Sequence, residues 1–196
     1  HWENLSGYTA EEINNAARGD PWRALQYAFD LLTPDTLEFC ARKELYWALQ
    51  YASGLLAPDT LEFCARAQPI TALEHAANQI KPETLDWCAR TDPEFALVYA
   101  AEHLAPDTLE FCARHSPGAA FVYAGSRLTE ETLDWCARET PWAALKHASE
   151  LLTPETIEFC ARRESRRALK YAAALLTPAT LKWCHAQEVI KRLTVS

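Results

Sequence analysis

Thiols recur in this chain at a fixed interval: Cys40, Cys64, Cys88, Cys112, Cys136, Cys160 and Cys184, one every 24 residues. Thiols can ligate a metal or pair as disulfides, but this spacing suits neither. Equivalent atoms of stacked helices lie about 8–10 Å apart, whereas a disulfide needs Cα atoms about 4.4–6.8 Å apart. The chain contains no Cys-x-x-Cys and no Cys–His cluster. Each Cys occupies a Leu-type position and is read as a small core hydrophobe. Reduced structural thiols predict a reducing, cytoplasmic setting, with no metal and no cofactor.

Other chemistry is sparse. There is no Gly-rich phosphate loop and no Ser/His/Asp constellation, so the expected protein is not an enzyme. His75 and His147 replace a recurrent Tyr (Tyr27, Tyr51, Tyr99, Tyr123, Tyr171) and stand three repeats apart. They cannot meet, and an amphipathic packing role is expected for them. The net charge of −8 argues against general nucleic-acid binding. It is uneven: residues 151–196 carry eight Lys/Arg against four Asp/Glu, and the rest is strongly acidic. No apolar run approaches the ~18 residues that span a membrane, so no membrane partner is expected. No Met is present, even at position 1, which suggests a piece of a longer chain.

The thiols mark a longer unit. Rows of 24 residues align almost every residue class, the signature of a tandem repeat. One array over 1–196 is expected: an N-terminal cap repeat over 7–30, six full repeats over 31–174, and a C-terminal cap repeat over 175–196. Each row holds two helix starts. Thr153-Pro154-Glu155 supplies an N-cap, a Pro at the first helical position and an acid in the first turn. Asp92-Pro93-Glu94 and Thr140-Pro141 repeat that grammar at the second start.

The unit is therefore two short helices, the first of about nine residues and the second of about ten or eleven, either partly 3₁₀. Leu37, Cys40 and Ala41 form the buried stripe of the first helix; Ala48, Leu49, Ala52 and Leu56 form that of the second. Phe39, Phe63, Trp87, Phe111, Trp135, Phe159 and Trp183 border the first stripe and are read as packing residues. Acid–Arg pairs at i, i+4, such as Glu38–Arg42, Glu62–Arg66 and Asp134–Arg138, predict a solvated ion-pair edge. Thr9-Ala10-Glu11-Glu12 reads as a capping box, and Leu193 falls in the Leu position of the last row.

The Thr-Pro opening, the Leu37–Cys40–Ala41 pattern and the Ala-rich second helix resemble the leucine-rich repeat variant family, within the HEAT-like α-solenoids. The usual Val-Arg of that family's second helix is replaced here by a Tyr-containing segment. The resemblance implies an all-α fold, a right-handed α-solenoid alternating α and 3₁₀ helices. It implies a scaffold role and no chemistry.

Function is expected where the repeat rule is broken. Positions equivalent to 46, 47 and 50 lie on one face of the second helix, and their combination differs in every row. They hold Trp22 and Arg23, Tyr46 and Trp47, Ile70, Phe95, Trp142, then Arg166, Arg167 and Lys170. Exposed large apolar residues are typical interface anchors, so this stripe predicts a protein- or peptide-binding scaffold. The alternative is a nucleic-acid phosphate grip through Arg162, Arg163, Arg166, Arg167 and Lys170.

Overall fold

The computed structural model describes residues 2–3 and 5–194. These residues are all-α, arranged as tandem pairs of helices. The chain divides into two compact units, His1–Ala105 and Pro106–Ser196.

The first unit holds α1 (Ala10–Gly19), α2 (Pro21–Tyr27), α3 (Pro34–Lys43), α4 (Leu45–Ala52), α5 (Pro58–Ala67), α6 (Pro69–His75), α7 (Pro82–Thr91) and α8 (Pro93–Ala100). Odd-numbered helices contact the next odd-numbered helix, even-numbered helices the next even one, and each pair packs internally, giving two layers. The second unit repeats the plan with α9 (Pro106–His115), α10 (Pro117–Tyr123), α11 (Glu130–Glu139), α12 (Pro141–His147), α13 (Pro154–Arg163), α14 (Ser165–Tyr171) and α15 (Pro178–Thr194).

A single residue joins the two helices of a row. The Glu44 N–H donates to Cys40 O, closing α3, and Glu44 O accepts from Ala48 N, opening α4. Its φ of −129° and ψ of 67° lie outside the helical region. A following Pro favours such a corner by excluding the α conformation from the residue before it. Glu44, followed by Leu45, and Glu164, followed by Ser165, hold the same corner without Pro.

The second helix is shorter than its sequence suggests. It spans seven or eight residues rather than ten or eleven, then gives way to a 3₁₀ turn such as Phe29–Leu31, Ser53–Leu55, Ala101–His103, Gly125–Arg127, Ser149–Leu151 or Ala173–Leu175. The chain must leave the helix within a few residues to reach the next Thr-Pro start. The tighter turn achieves that and still delivers Leu56, Leu104 and Leu152 to the core.

The core lies between the layers. Leu25, Leu49, Leu73 and Leu97 in the first unit, and Leu145 in the second, are fully buried. The facing Ala residues, Ala48, Ala72, Ala96 and Ala144 among them, are buried completely and permit close helix approach.

The cysteines also sit in this core at 0% exposure, but they do more than fill space. Six of the Sγ atoms donate to an Ala carbonyl in the last turn of the preceding row's first helix. Cys40, Cys64 and Cys88 reach Ala17 O, Ala41 O and Ala65 O at 3.6, 3.8 and 3.6 Å. Cys136, Cys160 and Cys184 reach Ala113 O, Ala137 O and Ala161 O at 3.4, 3.5 and 3.7 Å. Carbonyls in a helix's last turn have no intrahelical partner, and these are buried. A thiol is apolar enough for the core and still donates weakly, a combination Leu lacks. Burial pushes the Cys136 thiol up to about 12 and those of Cys40, Cys64, Cys88 and Cys160 to about 11.

The expected i, i+4 ion-pair edge forms only in part. Asp86–Arg90 and Asp134–Arg138 pair at 2.9 and 2.8 Å. Glu38, Glu62, Glu110 and Glu158 make no such pair among the described residues. They reach into the next row and accept the backbone N–H of Ala57, Lys81, Thr129 and Thr177 at 2.9, 2.7, 2.9 and 2.9 Å. Glu38 and Glu158 also accept the hydroxyls of Thr60 and Thr180. An amide that otherwise lacks a partner at a helix start is a better target than an exposed Arg. Asp, one methylene shorter, keeps its Arg, and Asp134 also accepts from the Thr156 hydroxyl.

The result is a capping box divided between rows. In an ordinary box the N3 residue caps its own N-terminus; here N3 is Thr, and the acid comes from the row before. The first row uses the ordinary form, with Thr9 N donating to Glu12 Oε2 at 2.8 Å and Glu12 N to Thr9 Oγ1 at 3.3 Å. Asn14 takes the acid's place and accepts from Thr33 N at 2.8 Å.

The last row departs from the two-helix plan. Its Pro-equivalent position is Val189, with no breaker or cap around it, and α15 runs unbroken for 17 residues. Leu193, expected in a core position, is 72% exposed on that helix. No helix among the described residues is long and apolar enough to cross a membrane.

Candidate functional site

The even-numbered helices turn one side to the core through Ala48 and Leu49 and their equivalents. The residue two positions before that Ala falls on the outer side, and the residue one position before lies at its border, where Thr71 and Ala143 are buried and Arg23, Phe95 and Arg167 are exposed. Trp22, Arg23, Tyr46, Ile70, Phe95, Trp142, Arg166, Arg167 and Lys170 are all exposed, and Trp47 is half-buried.

In the first unit the structure gathers three of these rings and a neighbour, Tyr51, into one cluster. Trp47 is its centre. Its ring lies 5.7 Å from Trp22, 5.3 Å edge-on from Tyr46 and 5.7 Å in a near-parallel stack with Tyr51. The Arg23 guanidinium sits 4.9 Å over Trp22, a cation–π contact. Beside the cluster, Gln50 Oε1 is buried without a hydrogen-bond partner. Two rows on, Phe95 stacks on Tyr99 at 5.6 Å.

The second unit keeps the geometry and changes the chemistry. Trp142 and Arg167 occupy the positions of Trp22 and Trp47, so the ring–ring contact becomes a guanidinium 5.4 Å over an indole. Arg167 is also tied to Glu164 at 2.6 Å. Lys170 Nζ lies 4.8 Å over the Tyr171 ring. Lys170 lowers the pKa of the Tyr171 hydroxyl, aided by the charges of Lys146 and Arg167.

The five cations read as a phosphate grip are divided between two helices. Arg166, Arg167 and Lys170 lie on α14, while Arg162 and Arg163 end α13. The Arg163 guanidinium covers Phe159 at 5.2 Å.

The repeated Tyr belongs to this face, which the sequence reading missed. Tyr27, Tyr99, Tyr123 and Tyr171 are exposed at 36–48%, more than a packing role requires. The signal was available: Tyr51 and Tyr99 stand four residues after Trp47 and Phe95, the spacing of one helical face. His75 is half-buried beside Glu74 at 3.7 Å, and His147 is exposed.

The ring ladder of the odd-numbered helices is also more exposed than expected. Phe63 and Trp87, and in the second unit Trp135 and Trp183, exceed one-third exposure. An Arg of the preceding row covers three Phe rings of the ladder: Arg18 covers Phe39, Arg42 covers Phe63 and Arg138 covers Phe159, at 5.7, 5.5 and 4.9 Å.

Among the described residues no three His, Cys, Asp or Glu side chains converge as a metal site. Comparison with protein-family models, curated proteins and solved structures finds no match to this chain.

Proposed function

We propose that the protein is a non-enzymatic recognition scaffold that binds a protein or peptide partner through the outer face of its second helices. The observation that carries this reading is the cluster of Trp22, Tyr46, Trp47 and Tyr51. Large rings held rigid on a solvent-facing surface supply contact area at little entropic cost, as interface anchors do. They are displayed at positions that differ from row to row, while the core and the capping network recur. The alternation of ten-residue α-helices with short helices ending in 3₁₀ turns supports the leucine-rich repeat variant reading of the architecture.

The test is selection from a displayed peptide library followed by binding to variants. Tyr46→Ala and Phe95→Ala should weaken selected peptides by about tenfold or more, the usual scale of an anchor, with unchanged helicity by circular dichroism. Trp87→Ala, on the odd-numbered layer, should bind as the parent does. Equal loss from Trp87→Ala, or none from the first two, contradicts the assignment.

A further inference from the structure

The second-helix face ends in a groove of a different character. Because α15 continues straight, α14 has no second-helix neighbour on that side. Leu169, at the position of the fully buried Leu49 and Leu145, is only half-buried. A groove of about 1290 Å³ opens between α14 and α15, with Leu169 among its lining residues.

Its walls carry five cationic side chains (Arg166, Arg167, Lys170, Lys191 and Arg192) against two carboxylates, Glu164 and Glu188. The carboxylates are already engaged. Glu164 holds Arg167 at 2.6 Å. Glu188 accepts from the buried Ser165 hydroxyl at 2.6 Å and pairs with Lys191 at 3.3 Å. Arg166 and Arg192 have no hydrogen bond or ion pair among the described residues, and the only partner of Lys170 is Tyr171. The surplus of positive charge is therefore unneutralised, concave and exposed, in a chain that is acidic elsewhere.

We infer that the groove between α14 and α15 binds a short acidic peptide segment, with Arg166, Lys170 and Arg192 taking its carboxylates. This rests on the peptide-recognition reading and names the partner chemistry that one part of the face selects. Arg is suited to the task because its planar fork receives a carboxylate through two hydrogen bonds. Along the seven residues of α14, at about 1.5 Å each, the groove matches roughly three residues of extended chain at about 3.3 Å each. Glu164 and Glu188 interrupt the cations. Discrete carboxylates fit between them, whereas a continuous phosphate backbone would meet both acids and the negative charge of the remaining chain.

The experiment uses the full chain and a fluorescein-labelled oligoglutamate peptide, read by anisotropy. Oligoglutamine and a single-stranded oligonucleotide serve as comparison probes. Oligoglutamate should bind and oligoglutamine should not. Binding should weaken as ionic strength rises from about 0.05 M toward 0.3 M, as screening of exposed charges requires. The doubly substituted R166E/K170E chain should lose about tenfold or more in affinity, while Trp87→Ala should leave it unchanged.

Absence of oligoglutamate binding at low salt, or equal binding by R166E/K170E, would overturn the inference. So would tighter binding of the oligonucleotide, or self-association abolished by R166E/K170E, which would make a second copy of the chain the occupant. Oligoglutamate has no side chain for the aromatic cluster. Its failure would leave the Tyr46 and Phe95 test of the broader reading intact.

Discussion

The two layers of helices expose aromatic and charged residues under opposite rules. On the odd-numbered layer several groups have an intrachain partner that recurs from row to row: Arg42 covers Phe63, Arg138 covers Phe159, and Glu38 and Glu158 cap the next row. On the even-numbered layer the contacts change in kind. Two indoles meet at Trp22–Trp47, and an indole and a guanidinium meet at the equivalent Trp142–Arg167. Exposure alone therefore does not mark a binding surface. Groups consumed by a repeating internal bond hold the array together, and groups released from the repeat are available to a partner.

The sharpest way to break that contrast is within a single helix. Leu49→Ala empties a fully buried position of α4 and should cost about 2–5 kcal/mol. Tyr46→Ala, three residues earlier and 45% exposed, should stay within about 0.5 kcal/mol. Urea denaturation measures both, and comparable losses would mean that Tyr46 is structural.

A middle-sized effect is expected on the odd-numbered layer. Glu38→Ala removes the acceptor of Ala57 N and should cost about 1 kcal/mol, the usual scale of a lost cap. The same network predicts an acid sensitivity. Hydrogen bonds from Arg138 and then Thr156 hold the Asp134 carboxyl below its ordinary pKa. For Glu158, burial pushes upward, but bonds from Thr180 and Thr177 outweigh it and the net shift is downward. A carboxylate with a lowered folded pKa contributes stability above its unfolded value, and loses it as pH falls through the folded one. Urea midpoints should therefore be level near neutrality and decline below about pH 4. Asp134→Asn should flatten the decline, and an unchanged profile would contradict the assignment.

The smallest effect is a null reaction at the thiols. All seven thiols are buried, and burial pushes those of Cys40 and Cys160 to about 11 and that of Cys136 to about 12, so the cysteines of the folded chain should not react with Ellman's reagent at pH 8. All seven should react in denaturant. A fast-reacting native thiol would show that a cysteine row is open to solvent.

Much of this contrast is legible in the sequence, because a 24-residue period exposes each position to seven or eight comparisons. The Leu-type reading of the Cys position placed the thiols in the core. Their bonds to Ala carbonyls were not visible, since a donor's partner depends on the register of adjacent rows. The cross-row cap left a trace: Glu12 stands at N3 only in the first row, and the acid is replaced only in the end rows, by Asn14 and Lys182. Composition within one helix favoured Glu–Arg pairing instead, because sequence spacing reports neighbours along a helix and not across a stack. The length of the second helix was overestimated for the same reason. Its apolar spacing continues to Leu56, while the backbone has already turned to meet the next Pro.

Hydrogen exchange of the chain with and without a library-selected peptide tests the central claim most directly. The account predicts added protection in α4 and α8, around Tyr46, Trp47 and Phe95, with α3, α5 and α7 unchanged. Protection concentrated in the odd-numbered helices, on the face of Phe63 and Trp87, would contradict it.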